Sequence, residues 1–270
     1  MRIVTLIENL VYKQGLTAEH GLSFYIETEN RKILFDAGQS ALFIQNAKTL
    51  GIDIREIDMV VISHGHYDHT GGLYAFLLEN KKATVYLKKE VFQQKYHGNQ
   101  RFIGTSHIPE VLEGRIVYVD TVTEIDKGIF IVPDIPVINP TDTSFNNFYI
   151  RTDKGFEKDE FADELFLTFR YKDKISILSS CSHRGITNIV HTATELIALP
   201  VHLILGGFHL KNAGKEQYNT VVDYFRQINP EKIGVCHCTG VDIFSRLLND
   251  CDSHVFYNFT GNIITDIKID

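Results

Sequence analysis

Apolar residues along this chain fall into short runs separated by polar or glycine-containing breaks. Ile3 to Ile7, Leu22 to Ile26 and Lys32 to Phe35 open the chain in this way, the pattern of a meander of strands. The third run ends in the turn signal Asp36-Ala37-Gly38. Beyond it, Ser40 is placed to cap a helix through Ala41, Phe43, Ile44, Ala47 and Leu50, stopping at Gly51. Ile57 to Ile62 contains Met59-Val60-Val61-Ile62, apolar at every position and rich in β-branching, as a strand in the middle of a sheet requires. Leu73 to Leu78 predicts a short helix and Ala83 to Leu87 another strand, so strands and helices alternate as in layered α/β folds.

Between about residues 90 and 160 the periodicity weakens, with short strand-like pieces at Arg115 to Val119 and Ile129 to Val132 among Gly, Pro and Asn. This stretch is read as an insertion shaping a substrate pocket, with decorated surface loops as the alternative. Regularity returns with Leu165 to Tyr171, a turn at Lys172-Asp173-Lys174 and a strand from Ile175 to Ser180. A helix from about Thr187 to Ala198 follows, ending before Pro200. Two more strand-helix units come next: Val201 to Leu205 with a helix near Lys215 to Gln227, and Lys232 to Val235 with a helix near Val241 to Leu248. Each late strand ends in a histidine-bearing loop.

Composition narrows the class. With 270 residues and 44% apolar content the chain has ample material for a buried core, and a single domain over 1–270 is expected. No stretch approaches the roughly 18 consecutive apolar residues of a membrane span, and Glu8 and Asn9 interrupt the start before a signal-peptide core could form. The default expectation is therefore a cytoplasmic protein with no membrane association. A net charge of -7 argues against a general nucleic-acid binder. Cys181, Cys236, Cys238 and Cys251 lie in the last third of a chain too large to need disulfide staples, so they read as free thiols or metal-site residues. Lys81, Lys82, Lys88, Lys89, Lys95 and Arg101 form a loose basic run that would suit an anionic substrate or a solvated face.

The chemistry concentrates in Ser63-His64-Gly65-His66-Tyr67-Asp68-His69-Thr70-Gly71-Gly72, just past the buried strand. An extended turn puts His64 and His66 on one side and leaves Asp68 and His69 to reach a neighbouring point, giving two adjacent metal positions. Imidazole with carboxylate suits zinc, with iron or manganese as substitutes. A surface histidine cluster without metal is the weaker alternative.

This segment resembles the His-x-His-x-Asp-His signature of the metallo-β-lactamase superfamily, as do Phe35-Asp36-Ala37-Gly38 before it and Thr70-Gly71-Gly72 after it. Ser180-Cys181-Ser182-His183-Arg184-Gly185, Gly206-Gly207-Phe208-His209-Leu210 and Cys236-His237-Cys238-Thr239-Gly240 are similar to one branch, named for a methanopterin-pathway dihydropterin ribofuranosylaminobenzene phosphate synthase. The resemblance implies an αββα four-layer sandwich with an insertion between the metal motifs. It also implies that His64, His66 and His183 hold one metal and Asp68, His69 and His237 the other. Where many members carry a bridging aspartate, this chain has Cys181 and Ser182. Cys181 is either a bridging thiolate or a packed neighbour, and occupancy of the second metal position turns on which. His209 is assigned proton transfer or oxyanion binding, with a structural hydrogen-bonded role as the alternative. Asp36 is expected to hold the metal loop or orient a histidine ligand. Cys236 and Cys238 are expected to point away from the side His237 faces.

The expectation is a hydrolase of one or two zinc ions using a metal-bound hydroxide on a small anionic ester, phosphodiester or lactone, with Asp68 and His209 as catalytic groups. A pterin-pathway synthase-like enzyme and a non-catalytic metal-binding or redox-sensing protein are the alternatives. A small-molecule substrate is the expected partner, and the sequence leaves the oligomeric state open.

Overall fold

The computed structural model describes residues 1–265, and the chain forms two compact units. The first comprises residues 1–120, 145–163 and 259–265, and the second residues 121–144 and 164–258.

The first unit is built on a seven-stranded sheet in the order Ile263–Ile264, Arg2–Ile7, Ser23–Glu27, Lys32–Phe35, Met59–Val61, Thr84–Leu87, Ile116–Tyr118. Its first four strands pair antiparallel and the rest parallel. The change falls where helical crossovers begin, since parallel neighbours need a long connection. Helix Leu42–Thr49 makes the first crossover and helix Leu73–Glu79 lies in the second. Phe43, Ala47, Leu73, Phe76 and Leu77 pack with Leu6, Leu34, Val60 and Val85 in one apolar cluster. Burying such a large side chain contributes roughly 1.5–3 kcal/mol before the entropy of ordering is set against it. All three residues of Met59–Val61 are buried, which explains why this run lacks alternation.

The second unit repeats this plan. Thr123–Asp126, Ile129–Val132, Phe166–Tyr171 and Lys174–Leu178 pair antiparallel, and Val201–Gly206, Lys232–Val235 and His254–Tyr257 continue the seven-stranded sheet in parallel. Helices Ile186–Leu196, Lys215–Ile228 and Val241–Asp250 follow successive strands. In Lys215–Ile228 the buried residues Tyr218, Val221, Val222 and Phe225 fall at the spacing of one helix face. Each unit thus supplies a sheet with packed helices, the α/β pair that a four-layer sandwich needs twice.

The stretch from about 90 to 160 divides between the units. Gln94–His97, Arg101–Phe102, Phe148–Thr152 and Gly155–Lys158 form a four-stranded antiparallel sheet in the first unit, while residues 121–144 supply two strands of the second. These small strands are short and largely exposed, so they carry no clear period. No described helix is long and apolar enough to cross a membrane.

Candidate functional site

In the first unit, the buried strand Met59–Val61 delivers the histidine segment to its end. Residues 64–66 are not helical, and His66 (φ -82°, ψ 145°) then caps a short helix, Tyr67–Thr70, that carries Asp68 and His69. His64, His66, Asp68 and His69 are all buried. A ring nitrogen of His64 lies within 4.8 Å of one on His66, and the same holds for His64 and His69. A Cβ at Gly65 would collide with the carbonyl of Val91, so only glycine lets the chain pass between the two histidines.

Asp36 organises this segment. One of its oxygens accepts the Ser63 backbone N–H at 2.8 Å, and the other accepts the Ser63 hydroxyl at 2.7 Å and His69 Nδ1 at 2.8 Å. With its proton given to Asp36, the Ser63 hydroxyl takes the Nδ1–H of His64 at 2.8 Å. Both rings are thereby fixed in the tautomer whose Nε2 is the coordinating atom. Burial, together with the neighbouring His69 and His66, pushes the His64 imidazole well below its ordinary range, which keeps it in the neutral form that metals bind. Asp36 itself sits at φ 59°, a region uncommon for residues with a Cβ.

His20 is a neighbour the sequence did not announce. Its Nε2 lies 3.1 Å from Asp68 Oδ2. Gly21, where a Cβ would meet the Asp68 carbonyl oxygen at 2.6 Å, permits that approach.

Lys95 departs from the loose basic run, facing an anionic substrate or solvent, in which the sequence places it. Strand alternation turns it inward, fully buried, with Nζ 2.6 Å from Asp159 and 2.9 Å from Asp163. Burial alone would lower its ammonium, but the two carboxylates outweigh it and hold it above its ordinary value. Asp163 also accepts the Gly65 N–H at 2.7 Å. Phe161, buried at φ 52°, lies with its ring centroid 5.4 Å from His66, and Phe148 stands 5.4 Å from the same ring. A lone lysine among lysines gave no sign of this.

In the second unit the strand ends bring Cys181, His183, His209 and His237 into three loops. Gly207 N–H donates to the Ser180 carbonyl at 2.8 Å, and Cys236 N–H to the Gly206 carbonyl at 3.0 Å. Phe208 N–H donates to Thr239 Oγ1 at 2.9 Å. Ser182, His209 and His237 adopt φ of 55°, 52° and 50°, backbone strain of the kind that clusters at functional sites. Glu164 grips the first loop, accepting His183 N–H and Arg184 N–H at 2.7 Å each. The Ser144 carbonyl faces His183 Nδ1 at 3.4 Å, and the His183 and His209 rings lie 4.4 Å apart.

Donor atoms of Cys181, His237 and Cys238 all lie within 4.8 Å of one another. For Cys238 this overturns the expectation that it faces away from His237. Residues 237–239 form a 3-10 turn rather than the extended segment assumed, so neighbouring side chains share a side. Cys238 Sγ also accepts the His209 N–H at 3.3 Å. All four cysteines are free thiols.

Paired α/β units with imidazole, carboxylate and thiol donors at strand ends are those of a metal-dependent fold class, and the donor chemistry fits zinc. Residues 16–169 match the model of the Metallo-beta-lactamase superfamily, and the chain belongs to that superfamily. An uncharacterized protein of Methanocaldococcus jannaschii is 34% identical over 97% of this chain and 99% of its own length. The 7,8-dihydropterin-6-methyl-4-(beta-D-ribofuranosyl)-aminobenzene-5'-phosphate synthase of the same organism is 30% identical, over 89% of this chain and 88% of its own. A crystal structure described as a metal-dependent hydrolase of the beta-lactamase superfamily superposes with a TM-score of 0.88 at 31% identity, covering 99% of this chain and all of the other.

Proposed function

We propose that this protein is a metal-dependent hydrolase acting on a small anionic ester, phosphodiester or lactone, with one or two zinc ions as its cofactor. The observation that carries the reading is the buried His64-Gly65-His66-Tyr67-Asp68-His69 segment, whose His64 and His69 tautomers are set by Ser63 and Asp36. His64, His66 and His183 would serve one ion, and Asp68, His69 and His237 the other, with Cys181 as a further donor to the second. An ion held there would lower the pKa of a bound water and polarise the scissile carbonyl or phosphoryl group.

The chain's own residues do the rest. Asp68, with His20 Nε2 3.1 Å from its carboxylate, orients the attacking water and takes up its proton. His209, aimed by its left-handed backbone, supports the developing oxyanion or the leaving group. The metal-dependent hydrolase among the similar structures supports this reading.

Elemental analysis of the purified protein, joined to a panel of phosphodiesters, thioesters and lactones, tests it. Bound zinc near one or two equivalents and turnover of at least one class are the expected results. His66→Ala should abolish turnover and most of the bound metal, and a folded variant that keeps both sinks the assignment.

A second reading, a pterin-pathway synthase-like enzyme, is favoured by the full-length likeness to the synthase. Unchanged pterin metabolites in cells lacking the gene would remove it.

A further inference from the structure

Gly65, between the two histidines of the metal segment, is held on both flanks by residues of the 90–160 region and its end. On one flank is the backbone of Val91, so close that a Cβ on Gly65 would collide with its carbonyl. On the other is Asp163, accepting the Gly65 N–H at 2.7 Å. A carboxylate accepting a single backbone N–H could swing away, but this one is tied down. Its second oxygen lies 2.9 Å from Lys95 Nζ, and Lys95 is tied in turn to Asp159 at 2.6 Å.

Asp159 closes the chain of contacts by accepting the Phe161 N–H at 2.7 Å. That bond supports Phe161 in its left-handed backbone, with its ring 5.0 Å from Lys95 Nζ and edge-on to His66. Lys95 and Asp163 are fully buried and Asp159 is 2% exposed. Burying an ammonium and two carboxylates is a costly way to stabilise a fold, because apolar residues of the same volume do at least as well. Such clusters are better explained by the geometry they impose.

We infer that Lys95, Asp159 and Asp163 are positioning residues for the metal segment. Lys95 clamps Asp163, Asp163 sets the Gly65 peptide, and the peptide sets how His64 and His66 present their Nε2 atoms. Asp159, through Phe161, backs the His66 ring. The inference rests on the metal reading above, and it gives the small four-stranded sheet a task at the metal segment.

The test compares zinc affinity, by competition with a chromophoric chelator, in the wild type, Asp163→Asn and Asp159→Asn. Thermal unfolding of the three metal-free proteins is measured alongside. Both substitutions remove one carboxylate from Lys95, but only Asp163 also holds Gly65. Asp163→Asn should therefore weaken zinc binding by about ten-fold or more, and by clearly more than Asp159→Asn, while the metal-free variants unfold at similar temperatures. A buried ion pair with a merely structural role predicts zinc losses that track lost stability equally in both variants, and that result overturns the inference. Equal zinc affinity in all three proteins overturns it as well. If Asp163→Asn does not fold, Lys95→Gln takes its place, with the same expectation relative to Asp159→Asn. A wild type that binds no zinc refutes the metal reading itself, an outcome distinct from unperturbed variants of a zinc-binding wild type.

Discussion

The histidine segment at 63–72 and the three loops at 180–185, 206–210 and 236–240 solve one problem, aiming donors from strand ends, in opposite ways. The first keeps its donors contiguous, has no side chains at Gly65, Gly71 and Gly72 so that backbones approach, and anchors Ser63 and His69 on one buried carboxylate, Asp36, and Gly65 on another, Asp163. The second spreads its donors over three loops and stitches those loops together by backbone hydrogen bonds. It forces non-glycine residues, Ser182, His209 and His237, into left-handed conformations. Glycine density and a tight spacing can be read from a sequence. Strain and cross-loop hydrogen bonds cannot.

The sharpest way to break the comparison is Asp36→Ala. It would leave the Ser63 N–H and His69 Nδ1 buried without their acceptor, at about 1–3 kcal/mol for each. We expect a loss of about 4 kcal/mol in unfolding free energy by denaturant titration and, in parallel, loss of most bound metal. A variant with wild-type stability and metal content would show that the first segment is not hung on Asp36.

The second unit has its own buried carboxylate, and it should behave differently. Asp142 accepts the Thr187 N–H at 2.8 Å and the Thr187 hydroxyl at 2.9 Å. Even so, burial pushes its carboxyl from 3.8 up to about 7. Its Oδ1 is buried with no hydrogen-bond partner among the described residues, as suits the protonated form. A folded-state pKa above the unfolded value means that the stabilisation is complete below about pH 4 and is lost as the pH rises through 7. Asp142→Asn mimics the neutral carboxyl, so the wild type should lose up to about 4 kcal/mol relative to the variant between pH 4 and pH 8. Unfolding titrations of both proteins across that range check the slope, and parallel pH profiles would contradict the assignment.

The smallest expected effect sharpens the comparison rather than breaking it. Glu164→Gln keeps one carbonyl acceptor for the two N–H groups at His183 and Arg184 but removes the charge, at about 1–2 kcal/mol. Because backbone bonds also stitch these loops, metal content should fall less than in Asp36→Ala. An equal or greater loss would mean that the second set of loops depends on a single brace after all.

Much of the architecture was legible in the chain. The uniformly apolar Met59-Val60-Val61, the turn at Asp36-Ala37-Gly38 and the amphipathic 215–228 helix all fold as their patterns require, with boundaries moved by a residue or two. The four-stranded sheet was not legible, because its strands are short and mostly exposed, with no buried face long enough to impose a period of two. Around the histidine segment, Asp36 could be anticipated as a brace because Phe35-Asp36-Ala37-Gly38 belongs to the resemblance that the segment carries. Lys95 and Cys238 could not, because each was judged from neighbours in sequence: Lys95 from other lysines, Cys238 from an extended backbone that is in fact a turn. His20 had no sequence cue beyond the glycine that follows it.

One peptide bond joins Asp163, which holds Gly65 in the first unit, to Glu164, which holds His183 and Arg184 in the second. Each carboxylate thus lies a fixed number of residues from a strand of its own unit, Asp163 from Gly155–Lys158 and Glu164 from Phe166–Tyr171. Adding or deleting a single residue between Lys158 and Asp163 would displace Asp163 from Gly65, however well the strands of the first unit re-formed. A stretch that looks like a surface connector should for this reason tolerate substitution at the exposed Glu160 and Ala162 but no change of length.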